Sequence, residues 1–186
     1  LSFPDSKEEY IKSLIIKVEI SSKISNEKLN RIEQLFNKTN QFNNTHIRYR
    51  KSELKSYQER NQIFTLEYLD KWSSKEICGC LIYKIKNDKL FILSYVLSCR
   101  FFSRGLEYVF VSKLFEILKS NNLKINISFK KGQNNKPFYY FLKKISPIIP
   151  EWEEIKNGET INYEISDSHL NENSFKFIKL YNEIKK

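Results

Sequence analysis

Residues 90–107, LFILSYVLSCRFFSRGLE, decide the fold. Residues 90–99 are mostly apolar and predict a strand, and apolar side chains recur at helical spacing over residues 105–119. The turn between them exposes the first N–H groups of the helix, where the helix dipole favours a negative group such as phosphate. Arg100 and Arg104 add positive charge there. Such residues can also serve only the geometry and hydration of a turn, so the motif alone leaves both interpretations open.

The chain on either side of this stretch predicts a mixed sheet. Ahead of it, strands at 63–70 and 77–86 with short turns make an antiparallel meander with the strand at 90–99. Behind it, residues 123–129 alternate between apolar and polar, and a strand, helix, strand order requires a crossover to a parallel strand. Outside this centre we expect strands at 14–20 and 160–166, and helices at 27–37, 52–60, 137–144 and 174–186.

Composition restricts the class of protein. The 186 residues are 40% apolar and 29% charged, which predicts one globular α/β domain over residues 1–186 and excludes a disordered chain. The longest apolar-rich stretch is interrupted by Ser94, Ser98 and Arg100, so no membrane span is expected. The first residues lack the pattern of a secretory signal, so we expect a cytoplasmic protein. The sequence contains no Met, which predicts that it belongs to a longer polypeptide.

Charge and cysteine usage bear on partners and metals. The formal net charge of +10 favours acidic partners, but the aromatic residues follow core periodicity, which does not favour nucleic acid. Cys78, Cys80 and Cys99 lie in strand-like runs and are predicted to be reduced core residues. Cys78 and Cys80 would share one face of a strand, but His46 and His169 lie far off in the sequence, so no metal site is expected.

The order of elements and the turn together resemble the GNAT acyltransferase superfamily. Its pyrophosphate loop reads Arg/Gln-x-x-Gly-x-Gly/Ala, and Arg100, Ser103 and Gly105 stand at the three defined positions, with Ser103 where Gly is expected. Across about residues 14–147, short blocks more specifically resemble the C-terminal part of FkbH-like proteins of methoxymalonyl-ACP and related polyketide biosynthesis. These blocks are TNQFN at 39–43, LSCR at 97–100, RGLE at 104–107 and NKP at 135–137.

The resemblance implies a parent chain with an upstream HAD-type domain that loads a glyceryl-type acyl unit onto an acyl carrier protein. This domain is then the GNAT-like, acyltransferase-like part that recognises phosphopantetheine on coenzyme A or on the carrier protein. The pantetheine chain is expected along the end of the strand at 90–99. The implied cofactor-binding residues are Cys99, Arg100, Ser103, Arg104, Gly105, Leu106 and Asn135. The alternative is a non-catalytic domain that docks the carrier protein through its basic surface.

The amide block Asn40, Gln41 and Asn43 forms a second group of candidates, for substrate binding. These side chains either line the acyl pocket through hydrogen bonds or simply build a tight turn. The residues alone leave both alternatives open.

The candidates for catalysis are one carboxylate and two tyrosines. Glu67 lies on a strand with apolar neighbours, where burial would raise its pKa towards that of a general base, although an edge-strand charge is the alternative. The position of the family's general acid falls on Leu142, while Tyr139 and Tyr140 lie two or three residues earlier. Either the alignment shifts here or the domain lacks the acid, and the second possibility favours a binding role.

Overall fold

The computed structural model describes residues 6–118, 124–146, 148–165 and 178–180. Its helices are α1 Lys7–Ser13, α2 Asn26–Lys38, α3 Lys51–Glu59, α4 Leu106–Leu118 and α5 Lys136–Ile145. Its strands are β1 Lys17–Ser21, β2 Ile63–Leu69, β3 Glu76–Lys86, β4 Lys89–Leu97, β5 Lys124–Lys130, β6 Thr160–Ile165 and β7 Lys179–Leu180. None of these helices is long and apolar enough to cross a membrane.

The described strands form one mixed sheet in the order β6-β5-β4-β3-β2-β1-β7. Strands β2, β3 and β4 are antiparallel neighbours, and β5 returns parallel to β4 after α4. Strand β6 is antiparallel to β5, and β7 is parallel to β1. The predicted meander and the predicted parallel crossover are therefore confirmed.

Helices cover both faces of the sheet. On one face, α2 buries Leu29, Ile32 and Phe36 in a core shared with α3. The Ser25 side chain accepts a hydrogen bond from the Lys28 N–H and caps α2. On the other face, α4 and α5 share the larger core, in which Phe138 of α5 packs against strand residues.

The two ends of the described chain depart from the sequence-based expectation. The helix α1 was not predicted, and the strand expected at 14–20 is shifted to Lys17–Ser21. The helix expected at 174–186 lies mostly outside the described residues. Where that segment is described, Lys179–Leu180 form β7, because the free edge of β1 supplies hydrogen bonds that local propensity does not account for.

A β-bulge in the β2–β3 ladder changes the placement of the cysteines. The register shifts after Leu66 and leaves Cys78 as the extra residue of β3. Cys78 consequently packs in the core beneath α4 and α5, and Cys80 packs in the core beneath α2 and α3. The prediction that both share one face is wrong for this reason. Cys99 is exposed rather than buried, because β4 ends at Leu97.

Strands β4 and β5 separate part of the way along the sheet. Their parallel pairing ends at Ile92 and Ile127. Beyond this point residues 42–45, here called the inserted segment, lie between the two strands. Within it, Phe42 accepts a hydrogen bond from the Leu97 N–H at 3.1 Å through its main-chain oxygen. The edge of β4 that faces β5 is thus already paired where the two strands diverge.

Asn44 joins the separated strands. Its main-chain N–H donates to the Tyr95 carbonyl at 3.3 Å, and its Oδ1 accepts from the Tyr95 N–H at 2.7 Å. Its Nδ2 donates to the carbonyls of Leu93 at 3.3 Å and Ser128 at 2.7 Å, and its carbonyl accepts from the Lys130 N–H at 2.8 Å. One fully buried residue therefore replaces the missing ladder on both strands.

We expect Asn44→Ala to lower the free energy of unfolding by about 3 kcal/mol, because the loss of this amide leaves buried main-chain groups of both strands without partners. Urea denaturation monitored by tryptophan fluorescence measures the change. Gln41→Ala, in the same loop but exposed, is the control and should stay within about 0.5 kcal/mol of the parent chain. A loss for Asn44→Ala no larger than that of the control would contradict the bridging role.

Candidate functional site

A groove of about 410 Å³ lies against the turn that follows β4. We call it the α4–α5 groove, since the start of α4 and one side of α5 form its walls, and α1 borders it. The residues that matter for its chemistry are Lys7, Ser103, Arg104, Gly105, Glu107, Tyr108, Tyr140 and Lys144. The structure thus brings four of the site residues expected from the sequence to one place: Ser103, Arg104, Gly105 and Tyr140.

The turn before α4 depends on two residues with positive φ. Gly105 has φ 91°, a conformation that glycine adopts without steric cost. Its carbonyl accepts a hydrogen bond from the Tyr108 N–H at 3.1 Å and so begins α4. Ser103 has φ 66°, which is uncommon for a residue with a side chain. The position where the loop pattern expects glycine is therefore one that glycine would occupy more easily.

The two arginines of the turn are engaged elsewhere. Arg100 forms an ion pair with Glu76 at 2.7 Å. Arg104 donates to the Tyr68 hydroxyl at 2.5 Å and lies 3.7 Å from the Asp70 carboxylate. Both guanidinium groups are thus paired with residues of the β2–β3 region, although Arg104 also lines the groove.

A buried carboxyl group occupies the first turn of α4 instead. Glu107 is 6% exposed, and its Oε2 has no hydrogen-bond partner among the described residues. Burial raises the pKa of Glu107, while the main-chain N–H groups of Glu107 and Gly105 and the charges of Lys7 and Lys144 oppose the rise. Sequence reasoning did not select this residue, because acidic residues are common in the first turn of a helix, where the helix dipole favours a negative charge.

The two tyrosines of α5 point to different surroundings. Tyr140 is 53% exposed and lines the groove. Tyr139 is buried, and its hydroxyl donates to the Pro150 carbonyl at 3.1 Å. Leu142, at the position of the family's general acid, is fully buried in the core. Of the two tyrosine candidates, Tyr140 is the one that could contact a molecule in the groove.

A hydrogen bond from the Asn135 side chain to the Asn43 carbonyl links two distant parts of the chain. Asn135 is fully buried; its Nδ2 donates to the carbonyls of Asn43 at 3.0 Å and Lys130 at 2.9 Å, and its Oδ1 accepts from the Gly132 N–H. Asn43 Oδ1 accepts from the His46 N–H at 2.8 Å. The Asn135 side chain therefore fixes the loop that carries the inserted segment to the start of α5, while the Asn43 side chain holds the shape of its own loop.

The rest of the amide block lies on that same loop. Asn40 Oδ1 accepts a hydrogen bond from the Arg48 guanidinium at 2.5 Å, and Arg48 also donates to main-chain oxygens at the end of α2. Gln41 is exposed. Neither residue lines the α4–α5 groove. Asn44 makes most of the hydrogen bonds between this loop and strands β4 and β5. Sequence reasoning passed over this residue, and only its position next to Asn43 could have drawn attention to it.

Glu67 is buried between two lysines. Lys28 donates to one carboxylate oxygen, and the Lys75 ammonium lies 3.1 Å from the other. Burial alone raises the pKa of Glu67, but the hydrogen bonds and charges of both lysines outweigh it, so the pKa lies below the usual range. The expectation of a raised pKa is wrong, because the sequence does not reveal which cations approach this carboxylate.

No family model and no curated protein sequence matches this chain. Solved structures do match. Ard1 from Thermoplasma volcanium has a TM-score of 0.53 at 11% identity, covering 80% of this chain and 95% of that one. The ribosomal-protein-S18-alanine N-acetyltransferase from Escherichia coli has a TM-score of 0.55 at 9% identity, covering 80% and 92%. The PaiA N-acetyltransferase from Thermoplasma acidophilum, in complex with coenzyme A, has a TM-score of 0.50 at 14% identity, covering 80% and 99%. The chain has the fold of the GNAT N-acetyltransferases.

We expect Glu67→Gln to lower the free energy of unfolding by about 2 kcal/mol near neutral pH, because the two lysines lose their charged partner. A carboxyl group with a depressed folded-state pKa stabilises the protein above its unfolded pKa and loses that contribution as the pH falls through the folded value. The difference between variant and parent should therefore shrink below about pH 4. Urea denaturation at several pH values measures it.

The control for this experiment is Glu159→Gln, which removes the same charge from an exposed position. It should change the free energy of unfolding by no more than about 0.5 kcal/mol. A Glu67→Gln effect that is equally large in acid would show that the ion pairs are not its source.

Proposed function

We propose that this chain is a GNAT-fold domain that recognises phosphopantetheine, carried on coenzyme A or on an acyl carrier protein, within an FkbH-like enzyme that loads a glyceryl-type acyl unit onto that carrier. The observation that supports this best is the α4–α5 groove beside the turn Phe101 to Gly105. Acyl transfer of the N-acetyltransferase-like class would be the activity of such a domain.

The chemistry of the groove suits a phosphate joined to a largely uncharged arm. Lys7 and Lys144 supply positive charge at its border, and Phe102, Phe141 and Ile11 supply apolar surface. The amides and hydroxyl of a pantetheine chain have polar partners available in Ser103 and in the Tyr140 hydroxyl. A volume of about 410 Å³ is within the range of small-molecule sites.

The partners proposed for the domain are an acyl carrier protein and an upstream HAD-type domain of the parent chain, in the cytoplasm. The resemblance of residues 39–43 and 97–107 to FkbH-like proteins supports this assignment. The coenzyme A complex of a structural neighbour supports only the recognition of a pantetheine-bearing molecule. The net charge of +10 complements the acidic surface of carrier proteins, which would increase the rate of association.

A second candidate is a non-catalytic domain that docks the carrier protein. Two observations favour it. The edge of β4 beyond Ile92, where a GNAT enzyme would accept the pantetheine chain, is hydrogen-bonded by the inserted segment. The position of the general acid is the buried Leu142. In this case the domain docks the carrier protein through its basic surface, and the chemistry belongs to the upstream domain.

Binding of holo and apo carrier protein tests the first candidate. We expect holo carrier protein to bind at least about tenfold more tightly than apo carrier protein, because the groove contacts the phosphopantetheine arm. Isothermal titration calorimetry measures both affinities, with free 4′-phosphopantetheine as a small probe. Equal affinities, or no heat with a well-folded sample, would refute recognition of the arm.

Two neighbouring lysines give a matched pair of variants. Lys144→Ala removes a groove charge and should weaken 4′-phosphopantetheine binding about tenfold. Lys143→Ala removes a charge that is paired with Glu151 outside the groove, and the affinity should change less than about twofold. The same loss in both variants would mean that net charge, not the groove, determines binding.

An acyl-transfer assay distinguishes the two candidates. The domain is incubated with acyl-coenzyme A and holo carrier protein, and the carrier mass is followed by mass spectrometry. Binding without a mass increase above background supports the docking role. Enzyme-dependent acylation would refute it and favour a catalytic domain.

A further inference from the structure

The first turn of α4 already contains a buried carboxyl group. The Glu107 carboxyl group lines the α4–α5 groove, is 6% exposed, and has an unpartnered Oε2 within the described part of the chain. The main-chain N–H groups of Gly105 and Glu107 face this carboxyl. A phosphate that approached the same N–H groups would lie beside this carboxyl group, and the ionised form of the carboxyl would repel it.

No described residue forms a hydrogen bond with Oε2 of Glu107, and Lys7 and Lys144 act on the carboxyl through their charges. The Tyr95 hydroxyl from β4 donates to the main-chain carbonyl of Glu107 at 2.9 Å, not to its carboxyl. Arg104 is held by Tyr68 and Asp70. The other titratable or charged groups that face the groove are Lys7 and Glu8 on α1, Tyr108 on α4, and Tyr140 and Lys144 on α5.

The two forms of phosphopantetheine differ in charge at this point. On a carrier protein the arm is attached through a phosphodiester with one negative charge. In coenzyme A the arm is attached to a diphosphate with two negative charges, followed by a nucleotide. A singly charged phosphate can be balanced by the two lysines at the border, whereas a diphosphate brings a second negative charge into the groove that the Glu107 carboxyl lines.

We infer that Glu107 is a specificity-determining residue that directs the α4–α5 groove to carrier-borne phosphopantetheine and against diphosphate-linked pantetheine such as coenzyme A. This inference rests on the proposed function, because it concerns the same groove. The physical basis is that two negative groups cannot share one set of helix N-terminal N–H groups in a buried site without a large electrostatic cost.

Two probes of constant charge test the inference. One is the methyl ester of 4′-phosphopantetheine, a singly charged phosphodiester, and the other is dephospho-coenzyme A, a doubly charged diphosphate without a further phosphate. We expect the parent chain to bind the diester at least about tenfold more tightly at mildly alkaline pH. Glu107→Gln should bind dephospho-coenzyme A at least about tenfold more tightly than the parent, with less than about threefold change for the diester.

The pH dependence gives a second measurement that needs no variant. A protonated Glu107 no longer repels the diphosphate, so the affinity of the parent chain for dephospho-coenzyme A should rise as the pH falls. The diester affinity should change little over the same range, and Glu107→Gln should show no such slope. A flat profile for the parent chain would overturn the inference even if the variant failed to fold.

Glu116→Gln is the matched control, since it removes the same charge from an exposed residue of α4 that does not line the groove. It should change the affinity for dephospho-coenzyme A less than about threefold. An equal gain in both variants, or no gain in Glu107→Gln, overturns the role of Glu107 while leaving the proposed function in place if the diester binds. Failure of every variant and of the parent chain to bind either probe overturns both.

Discussion

The hydrogen bonds of Asn44 hold together the two halves of a sheet that would otherwise part. Strands β4 and β5 stop pairing at Ile92 and Ile127, and Asn44 then bonds main-chain groups on both strands. Because β4 leads into the turn and α4, and β5 leads towards α5, the spacing of the two groove walls depends on this connection. Asn135 adds the second tie, from the start of α5 to the carbonyl of Asn43.

The same arrangement limits the chemistry of the site. The separation of the two strands leaves main-chain groups on β4 that an extended ligand could pair with, but residues 42–45 already use them. The α4–α5 groove offers lysines, tyrosines and one buried carboxyl. These groups are suited to holding a charged or polar arm. Their proposed role is to select that arm by its charge rather than to supply an acid and a base.

The elements of the fold could be predicted because their signals are local. The stripe of Leu29, Ile32 and Phe36 predicted α2, and the period-two pattern before Cys99 predicted the meander. The left-handed position of Gly105 also follows from the identity of the residue. The β-bulge at Cys78 could not be predicted, because it reflects the register with a neighbouring strand.

The sequence by itself determined the order of elements from α2 to β6 and the position of the turn before α4, since hydrophobic periodicity and turn residues act over a few neighbours. Only the tertiary structure decided which polar groups meet. Arg100 is paired with Glu76, and Arg104 with Tyr68 and Asp70. Glu67 is paired with two lysines, so each of these charges is balanced by a partner. Such partners come from distant parts of the chain. The effect of a charged side chain on a ligand depends on the partner that lies nearest to it in space, which the sequence does not reveal.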